Sequence, residues 1–269
     1  MTWCEIGINL AINLAAGVII FMAGFFWPLI PKSIKMYRLK KFFGSSVLSE
    51  RFAIVYGTLQ DPRPRIDPAG NLLLRFQKQF KDGRIIHISG PFENIVGDCE
   101  IRASGYLAQN VGRAREQTIR IMSDLKAYDD MNSSFIALGS PASNDISGFI
   151  MRETANQFYN FTQVGAQVFI EAVPDKKQYS GFQPPARKDC AVLMRIRNDR
   201  FPEHFLFVCA GLGEWGTSGA SWFLATHWEN LYREFKKDNF ALILEVDIGS
   251  DTSTKRIVSL RKLSAEQVN

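Results

Sequence analysis

The chain is short of the side chains on which much protein chemistry is built. Among its 269 residues are four cysteines, Cys4, Cys99, Cys190 and Cys209, widely separated and without a C-x-x-C pair, so neither a disulfide framework nor a zinc site is implied. A reducing, cytosolic setting suits that pattern. The three histidines, His87, His204 and His227, lack a second ligand at metal spacing, so no metal is expected. No G-x-S-x-G elbow occurs, since Ser218 is preceded by Thr217, and no nucleophile triad emerges. A broad basic surface is missing too. The formal charge is only +5, and Lys32, Lys35, Arg38, Lys40 and Lys41 cluster between Pro31 and Val47 with no acid among them. Removing those five from 32 cations leaves 27 against 27 acids, which argues against nucleic acid as a partner.

What is present in quantity is apolar surface, at 46% of the residues, too much for a disordered chain and enough for one or two domains. Ile6 to Ile30 are 25 residues without a charge. As a helix they would extend about 37 Å, beyond a hydrocarbon core of about 30 Å. A cleaved signal peptide would place cations ahead of the apolar run, where the only charged side chain is Glu5. The expectation is an uncleaved, single-pass transmembrane anchor over residues 1–31, with Trp3 and Trp27 near its two ends. Residues 32–48 then form a basic juxtamembrane linker, which the positive-inside rule keeps in the cytoplasm, with residues 49–269 as a cytosolic domain at the cell membrane. The linker's cations could also attract anionic lipid. Asn9, Asn13 and Gly17 share one helical stripe, which suits a homo-oligomer or a partner helix, unless Asn9 simply lies in the wet interface.

Beyond Gly44-Ser45-Ser46, short apolar runs alternate with small or polar residues and helical stretches. Phe52 to Tyr56, Thr118 to Met122, Ser134 to Leu138, His204 to Ala210 and Phe240 to Val246 read as strands buried on both faces. That is an α/β, Rossmann-like sheet with helices on both faces. Cys190 to Arg197 is joined to His204 to Ala210 by too few residues for a helical crossover, so the sheet is expected to be mixed although largely parallel. Loops rich in Pro and charge fall at Asp61 to Gly70 and Pro174 to Lys188, and the second is placed to close over a site.

The strongest formal motif is Gly211-x-Gly213-x-x-Gly216 between a strand and a helix, followed by Thr217 and Ser218. Glycines in that context let a phosphate reach backbone N–H groups at a helix N-terminus. A dinucleotide fingerprint would place a ribose-binding acid about 20 residues on. The next strand's Glu245 and Asp247 come 29 and 31 residues after Gly216, so no dinucleotide cofactor is expected. A second loop, Gly139-Ser140-Pro141-Ala142-Ser143-Asn144, has the same strand-to-helix setting. Parallel sheets place ligands beyond the carboxyl ends of their strands, where Thr58, Ser123 and Asp124 would join these loops. Glu100, at a possible helix start, is a candidate acid, base or nucleophile with Asp124 for glycosidic chemistry. A helix-start carboxylate favoured by the dipole accounts for Glu100 equally well, just as packing accounts for the glycines.

The resulting expectation is a membrane-tethered cytosolic sensor or effector. Its ligand-binding residues are Thr58, Ser123, Gly139, Ser140, Ser143, Asn144, Gly211, Gly213, Gly216, Thr217 and Ser218, and its partners are the lipid bilayer and a small anionic ligand of nucleotide or phosphate type. The alternative is a nucleotide- or nucleoside-processing hydrolase using Glu100 or Asp124. A third possibility is a scaffold whose glycines only shape turns.

Overall fold

The computed structural model describes residues 29–58, 65–66, 72–79, 85–90, 96–153, 158–165, 167–181 and 187–262. Among them no helix is long and apolar enough to cross a membrane. The apolar run at 6–30, with its Asn9–Asn13–Gly17 stripe, lies outside the described residues except for its last two.

Helix α1 (Leu29–Phe43) carries Pro31 near the beginning of its described residues and Lys40 and Lys41 in its last turn. Leu39, Phe42 and Phe43 repeat at helical spacing and are fully buried. Gly44, at φ +97°, turns the chain into a 3-10 turn (Ser45–Leu48) that buries Val47. Residues 32–48 were expected to be a linker. Four of their apolar side chains, Leu39 among the cations and Phe42, Phe43 and Val47 beyond them, go into the core of the folded body.

The main sheet contains β1 (Ala53–Tyr56), β5 (Arg120–Ser123), β6 (Phe135–Leu138), β10 (Lys188–Arg197), β11 (Phe205–Gly211), β12 (Asn239–Asp247) and β13 (Ser250–Lys262), in the order β13-β12-β10-β11-β6-β1-β5. Strands β5, β1, β6 and β11 are mutually parallel, while β10, β12 and β13 pair antiparallel. Five strands, those four and β12, therefore point one way and two the other. Short strands β2 (Arg65–Ile66), β3 (Leu72–Gln79) and β4 (Ile85–Gly90) form a separate antiparallel sheet, and β7 (Tyr159–Val164), β8 (Gln167–Ala172) and β9 (Gln178–Ser180) a third.

Alternate side chains of the main sheet enter two cores. On one face Ile54, Ile136, Phe207 and Leu242 pack under α1, α2 (Asp98–Arg115) and α5 (Glu214–Phe235). On the other, Val55, Ala137, Val208 and Ile243 pack under α3 (Asp124–Ala127), α4 (Asp145–Glu153) and the β7–β8 hairpin. Burial on both faces is what makes these strands continuously apolar. Leu224, Trp228, Leu231 and Phe235 give α5 its core stripe.

One buried cation locks α1 in place. Arg195 on β10 is 0% exposed, and its guanidinium lies 4.7–4.9 Å from the ring centres of Phe42, Phe205 and Phe240. It donates to the carbonyls of Phe42, Lys236 and Asp238, joining the end of α1 to the α5–β12 turn.

Candidate functional site

The chain goes from β1 through α2 to β5 on one side and returns to β6 on the other. That reversal makes the carboxyl ends of β1 and β6 a topological switch point, the usual ligand position in open α/β sheets. Parallel register brings Tyr56 level with Ser123, so Thr58, Ser123 and Asp124 do share one edge with Gly139 to Asn144. Glu100 joins them from the first turn of α2.

At this switch point the polar groups are engaged by one another. Asp124 Oδ1 accepts from the Thr58 amide (3.2 Å), the Thr58 hydroxyl (2.8 Å) and the Leu125 amide (3.0 Å), and Oδ2 accepts from the Asp145 amide (3.0 Å). Asn144 donates to the Val55 and Leu138 carbonyls and accepts from the Ile146 and Ser147 amides, capping α4. The Ser140 carbonyl accepts from Ser143 and Asn144, folding the loop back on itself. A Cβ on Gly57 would stand 1.8 Å from the Ser143 carbonyl oxygen, which shows how closely that loop covers the end of β1. Ser123, at the start of α3, is buried. Glu100 is 2% exposed, and its Oε2 accepts from the Gly97 amide at 2.8 Å in a capping box. Burial raises its carboxyl above the ordinary range, against the pull of the Gly97 and Gly57 amides.

The glycine loop lies beside it. Strands β6 and β11 are parallel neighbours, and the Gly139 amide donates to the Cys209 carbonyl at 2.9 Å, so both loops occupy one edge. The amides expected to receive a phosphate are already bonded. Asp189, at the start of β10, accepts from Cys190 (2.8 Å) and Gly213 (3.0 Å) on Oδ1 and from Gly216 (2.6 Å) on Oδ2. A Cβ on Gly213 would come 2.8 Å from Oδ2, and one on Gly216 2.9 Å from the Cys190 carbonyl. These glycines thus let the loop close over a carboxylate. Desolvation raises Asp189, while its three amide donors lower it. Thr217 Oγ1 accepts from the Gly211 amide, and Ser218 is fully buried, donating to Asp251.

Beyond Asp189 the loop opens into a recess of about 530 Å³ between the β8–β9 hairpin and the start of α5. Phe169, Leu212 and Ile248 supply apolar wall, Asp189 and Glu214 carboxylates, and Trp215 an indole. Among the described residues none that lines it is a cation, and none comes from the 139–144 loop. Ser180 and Gly181 contribute, so the Pro174 to Lys188 stretch does border a cavity. Trp215 is held from behind by Arg102, whose guanidinium sits 4.2 Å from the ring centre and bonds Asp251 (3.2 Å) and Ser218 (3.1 Å). The Tyr106 hydroxyl also donates to Asp251.

Asp189, Arg102 and Asp251 were not legible as site residues. The one sequence signal was an acid immediately ahead of an unbroken apolar strand. Thiol chemistry has little support, because burial pushes Cys99 up to about 11 and Cys190 and Cys209 to about 12. Among the described residues no group of three His, Cys, Asp or Glu side chains is arranged to hold a metal ion. The fold defines the class, a mixed α/β protein with a Rossmann-like sheet. No protein-family model, curated protein or solved structure matches the chain.

Proposed function

We propose that the chain is a membrane-tethered ligand-binding module whose ligand occupies the recess bounded by Trp215, Asp189 and Glu214. The supporting observation is a ligand-sized concavity at the carboxyl end of β11 that combines an indole, an apolar wall and two carboxylates, with no cation among the described lining residues. An anionic group set on the Gly213 and Gly216 amides would meet Asp189 in its place. The recess instead favours a flat molecule that presents hydrogen-bond donors, such as a nucleoside, with its base on Trp215 and ribose hydroxyls on a carboxylate.

The full chain, purified in neutral detergent, is to be titrated with the common nucleosides by thermal shift and calorimetry. Ligand at a hundred times Kd stabilises by about 2.7 kcal/mol, and Trp215→Leu is expected to weaken binding by about tenfold, on the order of one lost aromatic contact. An unchanged melting midpoint across the panel, or full affinity in Trp215→Leu, rules the reading out.

A second reading makes Glu100 the acid or base of a hydrolase, supported by its raised pKa at the switch point. Prolonged incubation with nucleosides and nucleotides should then give products that Glu100→Gln does not. Asp124 is a weaker candidate, since its two oxygens already accept four hydrogen bonds.

A further inference from the structure

On the opposite edge of the main sheet from Asp189, a second recess of about 260 Å³ is lined by four cations. Lys40 and Lys41 come from the last turn of α1, Arg197 from the end of β10, and Lys237 from the turn between α5 and β12. Elements distant in sequence thus bring positive charge to one concavity. Among the described residues its single acid is Glu203, which lies 3.2 Å from His204 Nε2.

The pairing pattern along α1 sets this group apart. Lys32 is 2.7 Å from Glu116 and Lys35 is 4.0 Å from Glu229. Among the described residues, none of the four recess cations forms an ion pair. Helix dipoles favour cations at the ends of α1 and α5. They do not account for Arg197 on a strand, or for the hollow that all four share. Like charges held together repel, and a multivalent anion between them relieves that repulsion.

We propose that this recess is a binding site for a phosphate group, separate from the nucleoside-type recess and independent of it. Lysine supplies compact point charges, and Arg197 a planar fork suited to two phosphate oxygens. The phosphate can belong to a lipid headgroup or to a soluble phosphorylated molecule. Lys40 stands about 16 Å along the helix axis from Leu29 at the usual rise, so the two sources place the recess differently with respect to a bilayer.

The full chain is tested with two probes. Inorganic pyrophosphate is titrated by calorimetry into protein in neutral detergent. Thermal midpoints are then compared in phosphatidylcholine nanodiscs with and without a phosphatidylinositol monophosphate. The double variant Lys40→Gln with Lys237→Gln changes two exposed side chains, and its ligand-free midpoint should match wild type. It is expected to lose roughly tenfold or more in affinity for whichever probe binds. The control, Lys32→Gln with Lys35→Gln, removes the same charge from the paired part of α1 and should bind like wild type. Pyrophosphate binding assigns a soluble source, and a response to the phosphoinositide alone assigns the lipid. The proposal is overturned if wild type responds to neither probe, or if the control pair loses as much affinity as the recess pair.

Discussion

Asp189 satisfies three backbone donors with two oxygens, and its removal exposes the cost of leaving them unmade. Asp189→Ala leaves the buried amides of Cys190 and Gly216 without their acceptor, and that of the exposed Gly213 to water, and is expected to destabilise the fold by about 2–4 kcal/mol, read from urea midpoints. Its pH behaviour has a definite sign. Burial raises both Asp189 and Glu100, so the folded state takes up protons at a higher pH than the unfolded chain. Above their folded pKa values both carry a burial penalty. As pH falls from neutral through those values that penalty is relieved, and stability rises until the ordinary carboxylate range is reached. Glu245 acts the other way. Lys188 and Lys255 hold it low, so its contribution is present above the ordinary glutamate value and is lost as pH falls through its lower folded value. Urea midpoints should therefore rise modestly on mild acidification and fall on further acidification, with a smaller initial rise in Glu100→Gln. Local sequence could point to the glycines, whose spacing is visible within six residues. It could not identify their occupant, because Asp189 lies on the neighbouring strand of the β10–β11 pair and accepts from loop amides 24 and 27 positions away.

Among the elements, α1 has the largest consequences for handling the protein. A fragment starting at Ser49 discards Leu39, Phe42, Phe43 and Val47 and uncovers the core face of β11 and α5. Such a fragment should aggregate or melt far below one starting at Leu29, as differential scanning fluorimetry would show. Phe42→Ala alone should cost about 3–5 kcal/mol. The helix was hard to see in the sequence because its cations dominate the segment and its buried residues are few. Strands β1, β6, β10, β11 and β12 were legible for the converse reason, since burial on two faces leaves a nearly unbroken apolar run, whereas β5, expected to be buried on both faces, is an edge strand with Arg120 and Ile121 exposed. Strand β13 and the β7–β9 sheet were missed. Their Ser, Thr, Lys and Gln face water on one side, and their pairing partners set them more than their own composition does.

For the whole molecule, the expected anchor sets a direct test. The 269-residue chain should stay with membranes through an alkaline carbonate wash, and deletion of residues 6–28 should release it to the supernatant. Retention of the deleted form would shift the membrane contact to the folded part. The docking of α1 has a mechanical corollary. With Phe42 and Phe43 set in the core and Arg195 riveting the helix end to the α5–β12 turn, the sheet has no slack joint on the near side of Leu29. A tilt or twist applied there would turn the domain as a crank turns its shaft, so both recesses would be reoriented together.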